Sequence, residues 1–186
     1  MADEELHKSA YLALRTRKYE VAKKLYSELA AAGSPTAWIN LGWMYQHAAG
    51  VSESQRDAKE CYEKAANLGY LPANYHLARL LLKLKEYERV FALFSIAADA
   101  GHVPSSYWLG RLYLTGRGIG RDALKAEQCL KEAMDKGHIY ASRDYHRCRL
   151  RGEFGERRFS DFIGWISALV AGVMLAFKDP YSELLY

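Results

Sequence analysis

A glycine closes four similar segments along most of this chain: Gly33, Gly69, Gly101 and Gly137, separated by 36, 32 and 36 residues. Each ends an alanine-rich stretch, such as Leu29-Ala30-Ala31-Ala32-Gly33 and Ile96-Ala97-Ala98-Asp99-Ala100-Gly101. Proline follows shortly at Pro35, Pro72 and Pro104. Glycine just past a helix takes the left-handed backbone at little cost, and proline cannot continue the helix it follows, so each glycine marks a helix stop. A period of this length is the signature of stacked supersecondary units rather than of one irregular core.

Alignment on those glycines brings other residues into register. Leu41-Gly42-x-x-Tyr45 matches Leu109-Gly110-x-x-Tyr113, with Leu77-Ala78 in the same place between them. Gly50-Val51 matches Gly118-Ile119, and Tyr19 coincides with Tyr87. Two repeats therefore have a glycine-rich elbow and two have a tight one. Each repeat reads as two antiparallel helices. The first carries a small residue (Ala10, Gly42, Ala78, Gly110) where its partner crosses closely. The second carries apolar residues at helical spacing, as in Ala58, Cys61, Tyr62, Ala65 and Ala66. No segment alternates as a strand does. One pair cannot bury its apolar stripe alone, so neighbouring pairs must stack.

The run Ala37-x-x-x-Leu41-Gly42-x-x-Tyr45, Gly50-Val51 and Ala58-x-x-x-Tyr62-x-x-Ala65-Ala66-x-x-Gly69 resembles the Sel-like repeat, a relative of the tetratricopeptide repeat. Leu109 to Ala126 matches it more closely still, while the 32-residue repeats are nearer to tetratricopeptide units. The resemblance implies an all-α, right-handed α-solenoid of four repeats over residues 1–140. It also implies an interaction scaffold with no catalytic residues and no cofactor. The inner groove of such a solenoid is lined by first helices. Asn40, Trp43, Tyr75, His76, Arg79, Tyr107 and Arg111 are the candidate partner-binding residues there, since aromatic and arginine side chains are the usual binding anchors.

Beyond residue 140 the composition changes. Residues 141–161 are expected to form a basic capping helix and neck. Arg143, Arg147, Arg149, Arg151, Arg157 and Arg158 crowd this stretch, and Arg147, Arg149, Arg151, Arg157 and Arg158 are candidates for a membrane-surface basic patch. The sixteen residues Phe162 to Phe177 then carry no charge. At ~1.5 Å per residue they span roughly 24 Å, against a hydrocarbon core of about 30 Å. Three readings are open: a single membrane span over 162–178 followed by a tail at 179–186, a helix lying in the membrane surface, and a buried helix that caps the stack or closes an oligomer. The basic flank and the interfacial aromatics favour the span. Gly164, Ala168, Gly172 and Ala176 form a small-residue stripe expected to pack against a helix of a membrane protein, or against its own copy.

These features lead to a membrane-anchored cytoplasmic adaptor at a bacterial inner membrane, bound to an integral membrane protein and to lipid. By family analogy its setting would be envelope or exopolysaccharide synthesis. The alternative is a soluble peptide-binding repeat protein whose terminal helix docks a partner or makes a homo-oligomer. Charge is balanced through the first 140 residues, which excludes a nucleic-acid partner. Cys61, Cys129 and Cys148 lack metal-ligand spacing and read as core thiols. Gly116, Gly118 and Gly120 follow no strand, so they read as an elbow rather than a phosphate loop. Neither a nucleophile motif nor a metal set is present, and no enzymatic activity is expected.

Overall fold

The computed structural model describes residues 2–155 and 159–178, with side chains over 4–155 and 159–174. Arg157 and Arg158, the side chain of Ala176 and the tail 179–186 lie outside the described residues. Ten helices and no strand occur among those described. They form an all-α solenoid divided into two compact units, 1–84 and 85–186.

The first unit holds α1 (Ala2–Arg15), α2 (Tyr19–Ala31), α3 (Pro35–Gln46), α4 (Gln55–Asn67) and α5 (Pro72–Leu84). The second holds α6 (Tyr87–Asp99), α7 (Val103–Thr115), α8 (Ala123–Asp135), α9 (Ile139–Leu150) and α10 (Phe159–Lys178). Local chemistry fixes these boundaries. Ser34, Ser54 and Asp122 accept a hydrogen bond from the backbone N–H three residues on, at 3.4, 3.1 and 3.0 Å, and so cap α3, α4 and α8. The four repeat-closing glycines share one C-terminal closure, in which the following N–H reaches back five residues (Ser34 to Leu29, Tyr70 to Ala65, His102 to Ala97, His138 to Ala133). The tight elbows turn on Arg17 and Lys85, which hold positive φ at equivalent positions. The long elbows lie on an aromatic residue: Gly50 abuts Tyr19 in the first unit, and Gly118 abuts Tyr87 in the second.

Large side chains of second helices fill the space left by small residues of first helices. A Cβ on Gly42 would sit 2.6 Å from Cε1 of Tyr62, and one on Gly110 would sit 2.8 Å from Cγ of Leu130. Tyr26 and Phe94 hold the same register, and all four knobs are buried. Around them each unit builds its own core, with Leu14, Leu29, Met44, Leu77 and Leu81 in the first and Val90, Leu112, Ala133 and Cys148 in the second.

Helices α9 and α10 form a further antiparallel pair, with Arg149 beside Asp161, His146 beside Gly164 and Ile139 beside Gly172. The lock is inverted here. His146 stands nine residues after a closing glycine, in the register of Gly42 and Gly110, and Gly164 on the second helix makes room for the imidazole. Bulk and space have changed sides.

This pairing corrects the reading of residues 162–178 as a membrane span. Among the described residues no helix is long and apolar enough to cross a membrane. The physical reason is visible at the start of α10. Asp161 is buried on α9, with its carboxylate 3.4 Å from Nε of Arg149 and 3.3 Å from Nδ1 of His146. The stripe of Gly164, Ala168 and Gly172 continues that inward face rather than a face open to another membrane protein.

Candidate partner-binding surface

The first-helix surface of the second unit carries a charge cluster at its centre. Asp144 on α9 is only 1% exposed, and a buried carboxylate is costly unless it is paired. Its Oδ2 accepts a hydrogen bond of 3.0 Å from the Tyr107 hydroxyl on α7. Its Oδ1 lies 3.1 Å from Nη2 of Arg143 and 3.2 Å from Nη2 of Arg147. Arg111, one turn beyond Tyr107, donates to the same hydroxyl at 3.5 Å and lies over the Trp108 ring at 5.0 Å. Two guanidinium groups thus pair with the buried carboxylate, and a third reaches the Tyr107 hydroxyl that donates to it. Burial, and then the Asp144 charge, push the Tyr107 phenol above its ordinary range.

His138 completes the cluster. Its ring stacks on Tyr107 at 4.6 Å, and its Nδ1 accepts from the Ala141 N–H at 3.1 Å to cap α9. An imidazole that accepts through Nδ1 must be neutral. Burial holds it so, pulling its pKa down to about 4. Tyr140 extends the surface, with Arg143 over its ring at 5.2 Å.

The first unit carries a different surface. Trp43 stacks on His47 at 4.5 Å, His76 stacks on Tyr62 at 5.6 Å, and Arg79 lies over Tyr75 at 5.7 Å. The Asn40 amide donates to the Thr36 carbonyl of its own helix at 2.9 Å. Elsewhere in this unit a cavity of about 320 Å³ opens between α2, α3 and α4, lined by Trp38, Tyr45, Glu60, Cys61 and Lys64. It holds no convergent polar set: Lys64 lies over Trp38 at 4.5 Å and pairs with Glu60 at 2.8 Å.

The seven residues expected to bind a partner therefore fall into two groups. Asn40, Trp43, Tyr75, His76 and Arg79 belong to the first unit, and Tyr107 and Arg111 to the second. Tyr75 and Tyr107 are buried, so they support neighbours rather than offer a surface. Sequence reasoning missed Asp144 and His138 as the organisers of the site. The arginines expected at a membrane surface also separate. Arg147 pairs with Asp144. Arg149 is held by Asp161, by Glu127 at 3.3 Å and by the Phe154 carbonyl at 3.1 Å. Arg151 is exposed. Among the described residues no group of three or more His, Cys, Asp or Glu side chains could hold a metal ion. Burial pushes the Cys61 and Cys148 thiols up to about 11.

Helix pairs closed by glycine, locked small-against-large and joined by alternating elbows define a helical-repeat protein. The Sel1 repeat model matches residues 37–70, 71–102 and 103–138, more than half of the chain, and the chain belongs to that family. Solved structures agree on the fold. A Sel1 repeat protein from Oxalobacter formigenes is 24% identical with a TM-score of 0.70, covering 80% of this chain and 63% of its own. A protective antigen of uropathogenic Escherichia coli with an SLR fold is 24% identical with a TM-score of 0.72, covering 79% of this chain and 32% of its own. This chain thus spans less than two thirds of either relative. A Sel1 repeat protein from Klebsiella pneumoniae is 18% identical with a TM-score of 0.60, covering 99% and 93%. Proteins of this family act as scaffolds for protein–protein interaction.

Proposed function

We propose that the chain is a non-catalytic scaffold that holds an acidic segment of a partner protein on the arginine surface of its second unit. One observation carries this reading: Arg143 and Arg147 on α9 pair with the buried Asp144 carboxylate, and Arg111 on α7 reaches the Tyr107 hydroxyl that donates to the same carboxylate. Asp144 fixes two of the guanidinium groups, so little side-chain entropy remains to be lost on binding. Planar guanidinium groups recognise carboxylates in a bidentate way. Trp108 and Tyr140 flank the charge with aromatic surface. The expected membrane attachment, integral membrane partner and exopolysaccharide setting draw no support from either unit or from the similar proteins.

The test is fluorescence anisotropy with a labelled Glu-rich decapeptide and its Gln-rich counterpart. The acidic peptide should bind, weaken as salt rises, and lose most of its affinity in Arg111→Ala/Arg147→Ala. Equal binding of the two peptides, or an unchanged affinity in that variant, overturns the reading.

A further inference from the structure

Helix α9 presents two arginines one turn apart on the same face, and both are bound to a single oxygen. Arg143 reaches Oδ1 of Asp144 through Nε and through Nη2, each at 3.1 Å, and Arg147 reaches it through Nη2 at 3.2 Å. The shared oxygen holds the two guanidinium groups side by side. Their side chains are 31% and 42% exposed, against 2% for Asp144. The carboxylate is therefore out of reach of a ligand while the two cations are within it.

The arrangement selects among anions. A guanidinium group offers its N–H donors in planar forks that take two oxygens of one anion. A carboxylate has two oxygens, which fill one fork and leave the other to share them. Acidic side chains on one face of an extended segment recur about every 7 Å, so a second carboxylate does not fall between the same pair of arginines. A phosphate monoester carries three terminal oxygens on one centre and close to two charges at neutral pH. It serves both forks at once.

We propose that the arginine surface reads a phosphorylated serine or threonine in the partner segment, with the phosphate seated between Arg143 and Arg147. This rests on the scaffold reading above and gives the segment its chemistry. Tyr140 backs the Arg143 fork, with the guanidinium 5.2 Å from its ring centre. Arg111 on α7, which lies over Trp108 at 5.0 Å and pairs with no carboxylate among the described residues, takes an acidic residue beside the phosphate.

Three labelled peptides of one acidic sequence, with phosphoserine, glutamate or glutamine at the centre, read the result by fluorescence anisotropy on the full chain. At about pH 7.5 the phosphoserine peptide should bind about 10-fold more tightly than the glutamate peptide. At about pH 5 the phosphate keeps a single charge, and the ratio should fall below about 3. Any titration of the protein itself acts on both peptides, so the ratio isolates the phosphate. Arg143→Lys/Arg147→Lys keeps both charges and removes both forks. It should weaken both peptides but the phosphoserine peptide more, bringing the ratio at about pH 7.5 below about 3 with helical circular dichroism unchanged. Equal affinity of the phosphoserine and glutamate peptides in the wild type overturns the proposal and leaves the acidic-segment reading standing. A ratio unchanged in the double lysine variant overturns the seat between Arg143 and Arg147. Displacement of the phosphoserine peptide by inorganic phosphate at the peptide's own concentration overturns its assignment to a protein segment. Equal affinity of all three peptides removes the acidic-segment reading as well.

Discussion

Substituting Gly110 with alanine tests the small-against-large lock, because two effects of known size oppose each other there. Alanine is favoured over glycine in a helix interior by about 1 kcal/mol. The added Cβ, however, would lie 2.8 Å from Cγ and 3.0 Å from Cδ2 of Leu130, and 3.3 Å from the Ala126 carbonyl oxygen. Carbon atoms rest at about 3.5–4.0 Å, and Leu130 is fully buried and cannot swing aside. Overpacking of this kind costs about 1–3 kcal/mol. Gly110→Ala alone should therefore destabilise the second unit by up to about 2 kcal/mol. In a Leu130→Ala background, itself weaker by about 2–5 kcal/mol, the sign should reverse. There the methyl fills vacated space and the helix gains its propensity, so Gly110→Ala stabilises by about 1 kcal/mol. Urea unfolding followed at 222 nm and by tryptophan fluorescence gives the four midpoints of the cycle. Stabilisation by Gly110→Ala in both backgrounds would show that glycine is not required by the helix crossing.

Three further outcomes follow from the same structure. Asp144→Asn should destabilise the second unit by about 1–3 kcal/mol, because the charge-assisted hydrogen bonds from Arg143 and Arg147 are lost while both guanidinium groups stay partly in solvent; a melting temperature unchanged within a degree would refute the cluster. His138 has its pKa lowered by burial to about 4 from an ordinary 6.5, so the folded form binds fewer protons than the unfolded one. Its contribution is complete above pH 6.5 and is lost as pH falls from there toward 4, by about 1–2 kcal/mol after allowing for partial exposure; His138→Asn, which can still cap α9, should flatten that slope in a chemical-denaturation series. Cys61 and Cys148, held at about 11, should alkylate at pH 8 about 100-fold more slowly than an unfolded-chain thiol, as intact mass spectrometry with iodoacetamide would show.

The repeat frame was legible in the amino-acid order because one physical requirement recurs at every turn of it. A helix stop needs glycine, a close crossing needs a small residue, and both return at fixed register in Gly33 to Gly137 and in Ala10 to Gly110. The end of the chain was not legible in the same way. Phe162 to Phe177 is uncharged, and counting from Phe162 omitted the Asp161 beside it, the residue that anchors α10 to Arg149 and His146. A signal was present in the register itself, since His146 occupies a position reserved for small residues and Gly164 supplies the missing space. The inverted lock escapes a search for glycine on the first helix. Asp144 and His138 escaped for another reason. Asp144 is a polar position on the α9 wheel and His138 caps the helix ahead of it, and Tyr107 of α7 comes against both only through long-range packing that local spacing does not encode.

The central functional claim concerns where an acidic segment sits. A titration of the Glu-rich decapeptide into isotopically labelled protein, followed through backbone amide and arginine Nε–Hε resonances, locates it directly. The scaffold reading predicts shifts confined to α7 and α9, with the largest at Arg111, Arg143 and Arg147 and none at Asn40, Trp43 or Arg79. Shifts centred on the first unit, or none at millimolar peptide, would contradict it.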